Sequence, residues 1–206
     1  MIGTWSYYLM SPFNLILLLF PERLFSVGIW LMVLLKVSLS SLSFGYLLTK
    51  KYKETNIGVV SFSISYALMS FVTANMLNII WLDALIWLPL IILGIDRIVN
   101  DKKPLLYIIS LAIMLVSNYY IGYMICIFAV MYFLYVSYIK EYKDYVLKDK
   151  LKEFGKTFSI FSGASLLSAG LGSFILLPAF YTLLDSKIGL EPIELIFKFA
   201  YNPLDI

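Results

Sequence analysis

"LLYIISLAIMLVSNYYIGYMICIFAVMYFLYVSYI", residues 105–139, runs for 35 residues without a charge, and the way it divides decides the architecture. As one continuous helix it would be roughly 52 Å long at about 1.5 Å per residue, against a hydrocarbon core of about 30 Å. One crossing is too few. The local breaks lie in "SNYYIGY", residues 117–123, where Ser117, Asn118 and Gly122 interrupt the apolar run. The block therefore reads as a hairpin of two spans.

Charges on either side support this division. Lys50, Lys51 and Lys53 form one polar loop, Arg97, Lys102 and Lys103 a second, and Lys140, Lys143, Lys148, Lys150, Lys152 and Lys156 a third, so that these loops hold 12 of the 16 basic residues. Cytoplasmic loops collect Lys and Arg, and all three fall on one side only if residues 81–99 cross once and residues 105–139 cross twice. Apolar runs at 24–48, 57–80 and 158–183 supply three further spans. The expected fold is an all-α polytopic transmembrane bundle of about six spans, covering residues 24–184. Residues 1–23, broken by Pro12 and Pro21, read as an outer interfacial segment, and residues 185–206 as an outer tail that is cut short. A seventh span in the N-terminal segment is the alternative.

Composition agrees with a membrane protein: 61% of the 206 residues are hydrophobic, 14% are charged, and the mean hydropathy is +0.88. The aromatic residues, 17% of the chain, cluster near the ends of apolar runs, where amphipathic rings favour the headgroup zone. There is no histidine, which removes His-dependent triads and imidazole zinc sites. The single cysteine, Cys126, allows no intrachain disulfide and reads as a small packing residue. No Walker loop, dinucleotide fingerprint, metal motif or nucleic-acid-binding pattern is present, and the net charge of +3 is modest.

Within this lipid-compatible chain a few polar groups stand out. Asp83 lies between Trp81 and Trp87 at the expected outer interface, where a carboxylate can take a proton, bind a divalent cation or orient a hydroxyl. It equally reads as a helix N-terminal residue favoured by free N–H groups and the helix dipole. Lys36 is 12 residues from each end of its span, where a charge costs at least about 2.5 kcal/mol, so it must face protein or water. It would meet either a lipid phosphate in a cavity or a buried partner. Asn75 and Asn78 end one span, and Asn118, Tyr119 and Tyr120 form the hairpin turn. Amides and phenols there suit hydroxyl-rich ligands, or simply turns and interfacial anchoring. The small residues Gly163, Ala164, Ser165, Ser168, Ala169, Gly170, Gly172 and Ser173 read as a helix-packing face.

Three of these stretches together resemble one family: "GTWSYYLMSPFNLILLLFP" at residues 3–21, "NIIWLDALIWLPLIILGIDRI" at 78–98 and "SNYYIGYMICIF" at 117–128. They are similar to the bacterial YfhO membrane proteins, through about residue 185. That resemblance implies a GT-C-like fold and a glycosyltransferase that takes a sugar from a polyprenyl-phosphate donor in the membrane. It passes the sugar to an extracytoplasmic cell-wall polymer such as lipoteichoic acid. It also implies that a first span and the acidic part of the first outer loop precede Met1, so no residue here matches the family's leading acid. The catalytic residue is left unknown, with Asp83 the one candidate. Lys36, Asn78, Trp81, Asn118, Tyr119 and Tyr120 are the expected substrate-binding residues, with no protein metal site and a divalent cation as the only cofactor considered. Alternatives are a transporter or lipid flippase subunit, with Lys36 and the broken hairpin lining a pathway, and a noncatalytic scaffold.

Overall fold

The structure, a computed structural model, describes residues 10–140 and 147–184, with the backbone alone for 147–150 and 182–184. Among these residues every regular element is helical. A 3₁₀ helix, Pro12–Leu19, and a 3₁₀ turn, Glu22–Leu24, lead into α1, Phe25–Tyr52. Then come α2, Ile57–Ala67, α3, Ser70–Ala74, and a 3₁₀ turn, Ile79–Trp81. They are followed by α4, Leu82–Asp101, α5, Leu105–Ser117, α6, Tyr119–Ile139, α7, Leu147–Leu171, and α8, Ser173–Leu184.

Local chemistry sets the boundaries. Asn56 caps α2 by accepting the Val59 N–H at 3.1 Å, and Asn118 caps α6 by accepting the Ile121 N–H at 3.1 Å. Lys53 and Lys102, with φ of 57° and 60°, close α1 and α4 in the left-handed conformation. Pro89 inside α4 has no N–H to offer the Leu85 carbonyl, and in lipid a freed carbonyl needs another donor. Tyr66 of α2 supplies it, with its hydroxyl 3.0 Å from Leu85 O and its ring stacked on Phe44 at 4.3 Å.

Helix α4 is the centre of the bundle, with 56% of its span buried against 17–28% for α1, α2–α3 and α6. One core gathers Ile91, Ile95 and Ile98 of α4, Leu111 and Met114 of α5, Ala129 and Phe133 of α6, and Phe161 of α7. Gly94 lets α4 and α5 approach: a Cβ there would lie 2.7 Å from Tyr107 Cα. Of the small residues on α7, Ala164 and Ser168 are buried, with Ser168 donating to Ile108 O at 3.2 Å. Gly172 also packs, near Leu115, but Gly163 and Gly170 face open space. The expected packing face is thus only partly used.

Among the described residues four helical segments are long and apolar enough to cross a membrane, or five if α7 and α8, bent by 72° between Leu171 and Ser173, form one span. The α5–α6 hairpin turns at Asn118 alone. Its first arm is 13 residues, or about 20 Å, short of a 30 Å core. The expected span 57–80 is divided as well, broken between α2 and α3 and ending at Ala74. Lysines from all three basic loops meet at one end: Lys51 approaches Asp96, Lys102 pairs with Glu153 at 2.8 Å, and Lys140 donates to Val99 O at 2.7 Å. This basic end is the one the positive-inside rule assigns to the cytoplasm.

Candidate functional site

At the far end of the bundle the two anomalous charges turn out to be partners. Lys36 Nζ lies 2.7 Å from Asp83 Oδ1, with both side chains sealed from solvent. Lys36 also donates to Ile79 O at 3.0 Å and sits 5.4 Å from the centre of the Phe13 ring. Ser11, itself buried, lies beside the Asp83 carboxylate. The N-terminal 3₁₀ helix packs against α1, with Leu17 and Phe20 against Gly28, and so roofs the pair.

Asp83, expected at the outer interface, stands in the first turn of α4 and is enclosed by protein. Because α3 ends at Ala74, the 3₁₀ turn of residues 79–81 brings the Ile79 carbonyl to Lys36 before α4 starts. The acid therefore enters its helix already enclosed. Its charge is met by an ammonium and not, among the described residues, by N–H groups of the helix start. A buried pair contributes little net stability, but removing one member leaves an uncompensated charge and costs about 3–5 kcal/mol.

Asn118 is also fully buried. Gly94 and Tyr107 touch, and each is eleven residues from Asp83 and Asn118 respectively, so both lie about 16 Å from that contact at about the same depth. Ala84 and Leu115, one and three residues away from these, share a core. The Asn118 amide nitrogen has no protein partner among the described residues. Past the turn, Tyr119, Tyr120 and Tyr123 of α6 face Leu176, Leu177, Ala179 and Phe180 of α8 across an apolar groove of about 450 Å³. Asn78 is exposed and Trp81 half-buried at the 3₁₀ turn before α4.

Five of the seven sequence-selected residues thus form three groups: Lys36 sealed with Asp83, Asn118 buried at the hairpin turn, and Tyr119 with Tyr120 in the groove. Asn78 and Trp81 belong to the turn that supplies the Ile79 carbonyl. Ser11 and Phe13 around the ion pair were not anticipated, and neither was the groove wall from α8. Pro12, flanked by both of the former, marked only a break in the chain. Among the described residues no group of three or more His, Cys, Asp or Glu side chains is arranged to hold a metal ion.

Comparison with known proteins fits this arrangement of apolar helices. The sequence matches the family described as Bacterial membrane protein YfhO over residues 1–206. The protein "Uncharacterized protein YfhO" of Bacillus subtilis (strain 168) is 34% identical over 53 residues, a stretch that is 26% of this chain and 6% of that protein. No solved structure matches. A multi-pass helical bundle with lipid-facing apolar surfaces and a family match along its whole length identifies the chain as a member of the YfhO family of bacterial membrane proteins.

Proposed function

We propose that this chain is the membrane part of a glycosyltransferase that takes a sugar from polyprenyl phosphate and passes it to an extracytoplasmic cell-wall polymer such as lipoteichoic acid. The observation that carries this reading is the groove between α6 and α8. It lies at the end opposite the lysines and offers an apolar bed for an isoprenoid chain, with tyrosine rings from the hairpin turn at its edge. In the reaction, an acceptor hydroxyl oxygen bonds to the anomeric carbon while the bond from that carbon to the phosphate oxygen breaks. The lipid phosphate leaves with the electron pair, and a carboxylate base takes the hydroxyl proton. In this reading Asp83 is assigned to holding Lys36 and the base to a carboxylate other than Asp83, a choice supported by the cover of Lys36 and the N-terminal segment over the Asp83 carboxylate.

Tyr120→Ala and Tyr123→Ala, placed in the whole protein, are expected to raise the KM for a polyprenyl-phosphate sugar by roughly tenfold, in line with the apolar area each ring buries. Unchanged kinetics in both variants would remove the groove from the donor site. A transporter or flippase reading draws on the 72° bend between α7 and α8 and the break between α2 and α3, since discontinuous helices line many transport paths. Lipid movement across vesicles without a glycosidic product would favour it.

A further inference from the structure

The basic end holds a cleft of about 740 Å³ between the C-terminal ends of α1, α4 and α6. Five cations line it, Lys50, Lys51, Lys53, Arg97 and Lys140, against two carboxylates, Asp96 and Asp101. The positive-inside rule accounts for lysines on this side of the bilayer, but not for their convergence on one concavity. Their placement is also specific. Arg97 donates to the Tyr46 hydroxyl at 3.2 Å, and Lys50 lies 5.5 Å from the centre of the same ring. Lys51 donates to the Tyr132 hydroxyl at 2.8 Å, and Tyr132 in turn donates to Asp96 at 2.9 Å, leaving Lys51 and Asp96 3.6 Å apart.

The Tyr46 phenol and its ring face thus orient Arg97 and Lys50 without cancelling their charge, whereas Lys51 is shared between the Tyr132 phenol and Asp96. Burial, with the like charge of Lys102, holds the pKa of Lys140 below the ordinary lysine value. Of the remaining wall residues Asn100 is polar, and the other four present mainly apolar surface. Leu93 and Val136 line the interior, and Tyr135 and Ile139, both exposed on α6, carry the lining out to the lipid-facing side. A soluble phosphate has no use for such walls, whereas a lipid headgroup is followed by acyl chains that would lie along them.

We propose that this cleft binds the headgroup of an inner-leaflet phospholipid carrying two negative charges, with Lys50, Lys53 and Arg97 meeting the phosphate oxygens. A diphosphate headgroup matches the cleft's surplus of three positive charges better than a single phosphodiester does. Basic pockets between spanning helices at this face are suited to such headgroups. The site lies at the opposite end from the groove of the proposed transferase and stands independently of that reading.

The test is native mass spectrometry of the full chain in detergent, titrated with cardiolipin, with phosphatidylglycerol and with inorganic phosphate. One cardiolipin is expected to be retained, more tightly than phosphatidylglycerol, with no displacement by inorganic phosphate. The pair Lys50→Gln and Arg97→Gln should weaken cardiolipin binding by roughly 25-fold, at about fivefold per cation. The control pair Lys152→Gln and Lys156→Gln, exposed on α7, should leave it unchanged. Equal losses in both pairs would overturn the proposal in favour of a diffuse positive field, and displacement by inorganic phosphate would overturn the lipid assignment. If the Arg97 variant fails to fold, Lys50→Gln with Lys53→Gln carries the same expectation, and unchanged binding there would also overturn the site.

Discussion

At the far end of the bundle one lysine and one aspartate are sealed together at 2.7 Å, whereas at the basic end Lys51 and Asp96 stand 3.6 Å apart, with the lysine 42% exposed. The same two residue types do different work in the two places. In the sealed pair each charge has lost its water, so each depends on the other, and the lysine also on the Ile79 carbonyl. At the basic end water and phenols share the task, and no single partner is indispensable. Burial, more than the presence of a salt bridge, decides what a mutation should cost.

The sharpest way to break this comparison is Asp83→Leu, which leaves Lys36 buried and alone and should lower the unfolding free energy in detergent by about 3–5 kcal/mol. Adding Lys36→Met should recover most of that loss, because two apolar groups replace the pair. A double variant as unstable as the single one would show that the pair does more than satisfy its own charges. Next in size is Tyr66→Phe, which keeps the stacked ring but removes the donor to Leu85 O. Leaving that carbonyl bare should cost about 1–3 kcal/mol in the same measurement. The smallest effect belongs to Lys51→Gln, expected to change stability by at most about 1 kcal/mol and by less as salt is raised. A loss as large as that of Asp83→Leu would erase the distinction between the two ends.

The parts of this architecture written in local chemistry were legible. The uncharged block 105–139 and its flanking lysines called for a hairpin, and Asn118, named for its turn chemistry, is the residue on which it turns. Lys36 announced itself as a charge in need of a partner, but the partner depends on how α1 and α4 lie together, which no local pattern encodes. Asp83 was expected at the outer interface because the basic loops put the turn at 81–83 outside, and nothing local announced that its side chain is enclosed. The break at Leu68 falls in "ALMSF", with neither glycine nor proline to signal it, and it draws the following turn inward. Pro89 did carry a usable signal, since an interior proline in lipid implies a stranded carbonyl four residues earlier. The donor, Tyr66, came into view only with the packing of α2 on α4. The groove was half legible for a similar reason: Tyr119 and Tyr120 are adjacent in the chain, whereas its other wall comes from α8.

The Lys36–Asp83 pair also imposes an order on biosynthesis. Helix α1 leaves the ribosome with its lysine well before α4 exists, and 47 residues separate the two partners. At about 5–20 residues per second, the lysine must wait roughly 2–9 s for its counter-charge. Until then a cation in the middle of an apolar segment is without the acid it meets in the folded bundle, a condition the bilayer tolerates poorly. Holding α1 at the translocon or its lipid margin until α4 arrives would spare that cost, coupling membrane entry of the two ends of this pair into a single late step.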